Sequence, residues 1–203
     1  MTRIGTVAWA LVFLGSSPAL AGPGDAQTVA AAIRTSTCQN CHGATGDSKE
    51  VLVPRLNGQL PSYLYDRLHS MRYPVRESPR AIHAMGDIAP KLESRVIAAL
   101  ANYYAVQTPT QGNLKDRAGA VGERIYRKGG GENVPACQGC HGMQGQGSSR
   151  GPRLAGQHGE YLALQLQGFA MAVRIADPMN HHVWVMTSDQ IQAVASYLGG
   201  RRE

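Results

Sequence analysis

The pentapeptide Cys38-Gln39-Asn40-Cys41-His42 returns as Cys137-Gln138-Gly139-Cys140-His141. The two copies lie 99 positions apart and use all four cysteines of the chain. Any fold for this sequence must therefore present two sulfurs and an imidazole together, twice, on short stretches of backbone.

C-x-x-C-H is the spacing that fastens a c-type haem. A haem carries two vinyl groups on neighbouring pyrroles, and each can form a thioether with one cysteine sulfur. Two intervening residues let one turn of chain reach both. The histidine that follows then lies under the iron and offers a ring nitrogen as proximal ligand. A redox dithiol gives no reason for histidine after both pairs. A zinc site built from both pairs is disfavoured by their separation, since paired zinc ligands usually lie roughly 12–20 residues apart. The sequence thus predicts two covalent haem c groups, on Cys38, Cys41, Cys137 and Cys140, with His42 and His141 on iron.

The rest of the chain repeats too. Pro54-Arg55-Leu56-Asn57-Gly58-Gln59 matches Pro152-Arg153-Leu154-Ala155-Gly156-Gln157 at an offset of 98, as Tyr63-Leu64 matches Tyr161-Leu162 and Arg76 matches Arg174. Further on the offset is 94, pairing Met85 with Met179 and Tyr103 with Tyr197. Helical periodicity is clear: Leu64, Leu68 and Met71 fall on one face, as do Leu162, Leu166 and Phe169. Ile191, Val194, Ala195 and Leu198 stripe the last helix, with Ser188 as its expected N-cap, and Val96, Leu100 and Tyr103 stripe its counterpart. Further helices are expected at 26–35 and 116–128, before each cysteine pair, and Gly129-Gly130-Gly131 reads as a flexible approach to the second. Strand-like alternation is absent. The reading is all-α, with two tandem domains at 22–106 and 116–203 and a Thr/Pro/Gly-bearing linker at 107–115. Each half is small for an independent core, and a covalent macrocycle supplies an apolar centre for a few short helices.

The ligand opposite each histidine decides the chemistry; a firm methionine favours electron transfer at raised potential. Among the methionines after residue 21, only Met85 and Met179 keep the same distance to their final helices. They are the expected distal ligands. Met71, Met171 and Met186 read as packing residues, and Met143 follows its histidine too closely. Histidine is the rival ligand, but His83 has no counterpart in the second half, where Asp177 stands. His69 and His158 read as exposed. Pro54 and Pro152 either offer a carbonyl to the proximal imidazole or only shape the loop. Arg76 and Arg174 either pair with haem propionates or are solvated.

The start of the chain reads as an export signal: Arg3, an apolar stretch from Ile4 to Leu14, then Ala19-Leu20-Ala21. The stretch is shorter than the ~20 residues a spanning helix needs. Cleavage after about Ala21 and a periplasmic destination are expected, with no membrane span remaining. Without Arg3, 19 basic residues face 14 acidic ones, a net +5. That permits weak attraction to an acidic partner. No dense Lys/Arg block with interleaved aromatics points to nucleic acid, and Arg201-Arg202 reads as a solvated end. Neither G-x-S-x-G nor H-E-x-x-H is present.

Taken together these residues resemble the cytochrome c4 family of di-haem cytochromes c. The likeness rests on A-C-Q-G-C-H-G at 136–142, P-R-L-A-G-Q at 152–157, Tyr161-Leu162, Asp177-Pro178-Met179 and Thr187-Ser188-Asp189. The resemblance implies two class I cytochrome domains with close-packed haems, the axial pairs His42/Met85 and His141/Met179, and electron transfer without substrate chemistry. The expected partners are redox proteins, a donor and an acceptor, among them a membrane oxidase or reductase. The alternative is a fixed electron-transfer subunit of a dehydrogenase or flavocytochrome. A third reading, an enzyme in its own right, would want a displaceable or cysteine ligand, and no cysteine is spare.

Overall fold

A computed structural model describes residues 23–73, 84–112 and 119–201. The described residues form helices joined by loops, with two isolated β-bridges and no strand. In order they are α1 (Pro23–Ile33), α2 (Gln39–His42), α3 (Pro61–Ser70), α4 (Ser94–Ala105), α5 (Gly119–Lys128), α6 (Gln138–His141), α7 (Gly159–Ala170), α8 (Met179–Val183) and α9 (Ser188–Gly199).

The two approaches to the cysteine pairs differ. In the first half, a π-helical stretch, Arg34–Cys38, joins α1 to α2 without a break. The Thr35 hydroxyl bonds to the carbonyls of Ala31 and Ala32, both at 3.1 Å, and so competes with the backbone where the helix widens. In the second half α5 stops at Lys128 and a turn precedes α6. The glycines of this turn are held rather than flexible: Gly130 N–H donates to Val134 O at 3.0 Å, and Gln190 donates to Gly130 O at 2.7 Å.

Two separate cores form. In the first, Ala30 of α1 meets Val96, Ile97 and Leu100 of α4, with Leu68 of α3 against them. In the second, Ile125 and Tyr126 of α5 and Leu162 of α7 pack on Ile191, Val194 and Leu198 of α9. These are the faces that the 3.6-residue period predicts, except that Tyr104, not Tyr103, continues the buried stripe of α4, and the Tyr103 hydroxyl instead donates to Ala44 O at 3.0 Å. The N-cap of α9 is Thr187 rather than Ser188. Its hydroxyl accepts from Gln190 N–H, and the Gln190 amide accepts from Thr187 N–H, so only a start one residue earlier closes the capping box.

The stretch 107–112 runs along a seam between the halves and is tied to both. Asn57 donates to Thr108 O and to the Thr110 hydroxyl, at 2.7 and 2.9 Å, and Gly112 N–H donates to Arg201 O at 2.9 Å. Gly156, at φ +71°, passes so near that a Cβ would lie 2.0 Å from Thr110 O. Only glycine meets both conditions.

Candidate haem sites

α2 and α6 are single helical turns, so each brings its second cysteine and its histidine onto the surface presented by the first. The Nδ1–H of His42 donates to Pro54 O at 2.9 Å, and that of His141 donates to Pro152 O at 2.9 Å. A carbonyl can only accept, so this bond fixes the tautomer. Nδ1 holds the proton and Nε2 keeps its lone pair, as a metal-ligating imidazole requires. The proline segments therefore do more than shape the loop. Burial holds both imidazoles below the usual histidine range, against the opposing pull of the proline carbonyls. Each is a neutral ligand-type nitrogen.

The turns around the histidines are pinned in the same way twice. Ser48 donates to Cys41 O at 3.0 Å and Ser148 to Cys140 O at 2.5 Å. Leu56 N–H donates to Gly46 O at 2.8 Å and Leu154 N–H to Gly145 O at 2.7 Å. Gly151 sits against the His141 ring, where a Cβ would lie 3.0 Å from Nδ1. The dithiol alternative fares badly here. Burial pushes the Cys137 thiol up to about 11 and raises Cys38 as well, the opposite of an activated thiolate. Among the described residues no three His, Cys, Asp or Glu side chains gather as a metal cluster. Two sulfurs one turn apart and a pre-oriented Nε2 fit a covalent haem at each position.

Met179 is half-buried and opens α8, after a cis Asp177–Pro178 bond. Asn180 beside it donates to Phe169 O and Arg174 O, at 2.8 and 2.7 Å, and accepts from Ala176 N–H at 2.6 Å. The Met179 segment is thereby tied to the end of α7. Met85 is half-buried in helical backbone just before a turn, 86–88, that leads to a 3-10 segment, Ala89–Lys91. Gly86 stands where the second half has Asn180, so the first half lacks this tie.

A search with protein-family models matches the cytochrome c family over residues 120–201. Cytochrome c4 of Thiocapsa roseopersicina is 38% identical, over 80% of this chain and 86% of its own. The chain belongs to the cytochrome c4 family. The cytochrome c4 structure of Acidithiobacillus ferrooxidans superposes with a TM-score of 0.76 at 36% identity, covering 81% of this chain and 99% of that one. A thiosulfate dehydrogenase electron acceptor of Stutzerimonas stutzeri is 33% identical, over 82% of this chain and 80% of its own. As a member of the cytochrome c4 family the chain is an all-α, di-haem class I cytochrome c with two covalent haem c groups. It transfers electrons.

Several sequence expectations change. His158 is not exposed but 7% accessible, its Nε2–H donating to Ser48 O of the other half at 3.0 Å. His69 is half-buried and stacked on Tyr65 at 5.6 Å. Met171 does not pack; it is the C-cap of α7, past the last buried turn, and 69% exposed. Met186 does pack on the second core. Arg201 is no free tail end: it donates to the Tyr197 hydroxyl at 2.7 Å and to Gln144. Arg174 is 4% exposed, with its guanidinium 4.4 Å over the Phe169 ring and bonded to Gln165 and to Tyr63 of the first half, so it is not solvated. His83 and Arg76 lie outside the described residues.

Sequence reading missed Gln59 and Gln157, both buried between the halves. Gln157 Oε1 accepts from Arg55 N–H and its Nε2 donates to Arg55 O, both at 2.9 Å. Gln59 treats Arg153 alike, at 2.9 and 2.8 Å. Their matched places in P-R-L-x-G-Q carried the signal, but nothing in the motif says that each reaches across.

Proposed function

We propose that Cys38 and Cys41 hold one haem and Cys137 and Cys140 the other, with axial pairs His42/Met85 and His141/Met179. The observation that carries this is the pair of Nδ1–H bonds to Pro54 and Pro152, which leaves each Nε2 lone pair free on a histidine that directly follows a cysteine pair. Haem supplies a one-electron iron couple, and methionine opposite histidine raises its potential. The protein holds and orients the ligands and excludes water. Two separate cores support two cytochrome domains, at 22–106 and 116–203, joined by 107–115. The matched bonds, at offsets of 98 to 100, support an internal repeat.

The role is that of a periplasmic electron carrier without substrate chemistry, exported by residues 1–21 and cleaved after about Ala21. Among the described residues no helix is long and apolar enough to cross a membrane. Met171, Ile175 and Trp184 lie exposed on either side of Met179, at 69, 47 and 66%. Exposed apolar side chains this near a proposed haem ligand in sequence suit docking of a donor or acceptor protein. A second reading, a subunit bound to a dehydrogenase, is favoured by the likeness to the thiosulfate dehydrogenase electron acceptor. Mild purification from native cells distinguishes the two: a lone two-haem species supports the carrier, and a stable complex supports the subunit.

The ligands are tested by Met85→Ala and Met179→Ala. Each should remove one methionine–ferric charge-transfer band and open one haem to cyanide or carbon monoxide. Retention of both bands in either variant overturns that assignment.

A further inference from the structure

Pro54 C=O and Arg55 N–H belong to one peptide group. Its oxygen accepts the Nδ1–H of His42 at 2.9 Å, and its N–H donates to Gln157 Oε1 at 2.9 Å. The peptide group between Pro152 and Arg153 does the same between His141 and Gln59, again at 2.9 and 2.9 Å. Each relay starts on an amide of one half and ends on the histidine of the other. The glutamines are shielded, at 7% and 9% exposed for Gln59 and Gln157, as are Arg153 and His141 at 8% and 6%; His42 and Arg55 are half-buried.

Hydrogen bonds in series through a peptide group polarise one another, more strongly where water is excluded. An acceptor on the N–H makes the carbonyl a better acceptor, which makes the imidazole that donates to it more basic toward a metal. The second bond of each glutamine, from its NH2 to the Arg55 or Arg153 carbonyl, stops the peptide plane from rotating. Oε1 of each glutamine also accepts from the next N–H of its own chain, Leu60 or His158, at 2.9 and 3.0 Å, so the amide cannot flip without loss.

We infer that Gln157 is a positioning residue for His42 and Gln59 for His141, so that each redox centre is tuned by a side chain of the opposite half. The inference rests on the proposed histidine ligation. It gives the seam a second task besides adhesion: a disturbance at one half's glutamine is felt first at the other half's iron ligand.

The test is Gln157→Met and Gln59→Met in the two-haem protein. Methionine keeps length and apolar bulk, but its thioether accepts the N–H only weakly and cannot donate to the Arg carbonyl. The readout is the set of paramagnetically shifted NMR signals of the oxidised protein, assigned to a half by which of Met85→Ala or Met179→Ala displaces them. Gln157→Met should shift signals of the Cys38/Cys41 haem and leave those of the Cys137/Cys140 haem nearly in place; Gln59→Met should do the reverse. Amide exchange at Arg55 should quicken roughly tenfold in Gln157→Met, with Arg153 unchanged. Shifts confined to the mutated half, equal shifts in both, or none overturn the relay. Should a methionine variant fail to assemble, Gln→Asn, one methylene too short to reach, is read against the same outcomes. Missing thioether peptides or methionine-ligand signals in the unaltered protein would defeat the ligand assignment instead.

Discussion

Gly122 lies against the main-chain carbonyl of Ala193, so close that a Cβ on Gly122 would stand 2.1 Å from that oxygen. This contact sets the crossing of α5 over α9. In a free helix, Gly→Ala gains up to about 1 kcal/mol of propensity. Here the added methyl meets backbone, which cannot swing aside, and overpacking of this kind costs typically about 1–3 kcal/mol. Gly122→Ala should therefore lower the stability of the two-haem protein in urea unfolding. An unchanged or higher midpoint would show that the crossing relaxes freely.

Gly151 is tight against the ring of a proposed iron ligand. A Cβ there would lie 3.0 Å from both Cε1 and Nδ1 of His141. Gly151→Ala should push the imidazole by a few tenths of an ångström and lengthen its bond to Pro152 O. Haem c should still attach, since the cysteines are untouched, but the His141-side NMR signals should move while those of the His42 side stay. Identical spectra would mean the ring has more room than the structure gives it.

His158 predicts a pH dependence. Burial, and then the neighbouring Arg55 charge, hold its pKa below the ordinary value, against the pull of Ser48 O, Glu160 and Asp47. The unfolded chain therefore takes up a proton before the folded one does. The stability of neutral His158 is complete above about pH 6.5 and is lost as pH falls from there toward the depressed folded pKa. Thermal unfolding at about pH 5 and pH 8 should show a larger difference for the natural protein than for His158→Gln. Equal differences would acquit His158.

Asn180 ties the Met179 segment to the end of α7 through three hydrogen bonds. Asn180→Ala removes all three, while Phe169 O keeps its bond from Ala172 N–H. Loss of buried bonds of this kind costs about 1–3 kcal/mol. On the proposed ligation, the charge-transfer band assigned to Met179 should weaken on warming well before the one assigned to Met85. Parallel loss of both bands would place the strain elsewhere.

The sequence alone determined the number and chemistry of the redox centres, because thioether attachment needs a fixed spacing of particular residues and the histidine follows in the same turn. It determined the helices too, since Ile191, Val194 and Leu198 must share a face. It also marked Pro54, Arg55 and Gln59 as special by repeating them. What it could not decide was direction across the seam. A motif records that Gln59 and Gln157 matter, but a hydrogen bond between residues 102 positions apart leaves no local pattern. The same holds for His158, whose spacing reads as a surface loop until the other half covers it with Ser48. Only the docking of the two halves buries these polar groups. Burial then forces each to find a partner, and the nearest one belongs to the opposite half.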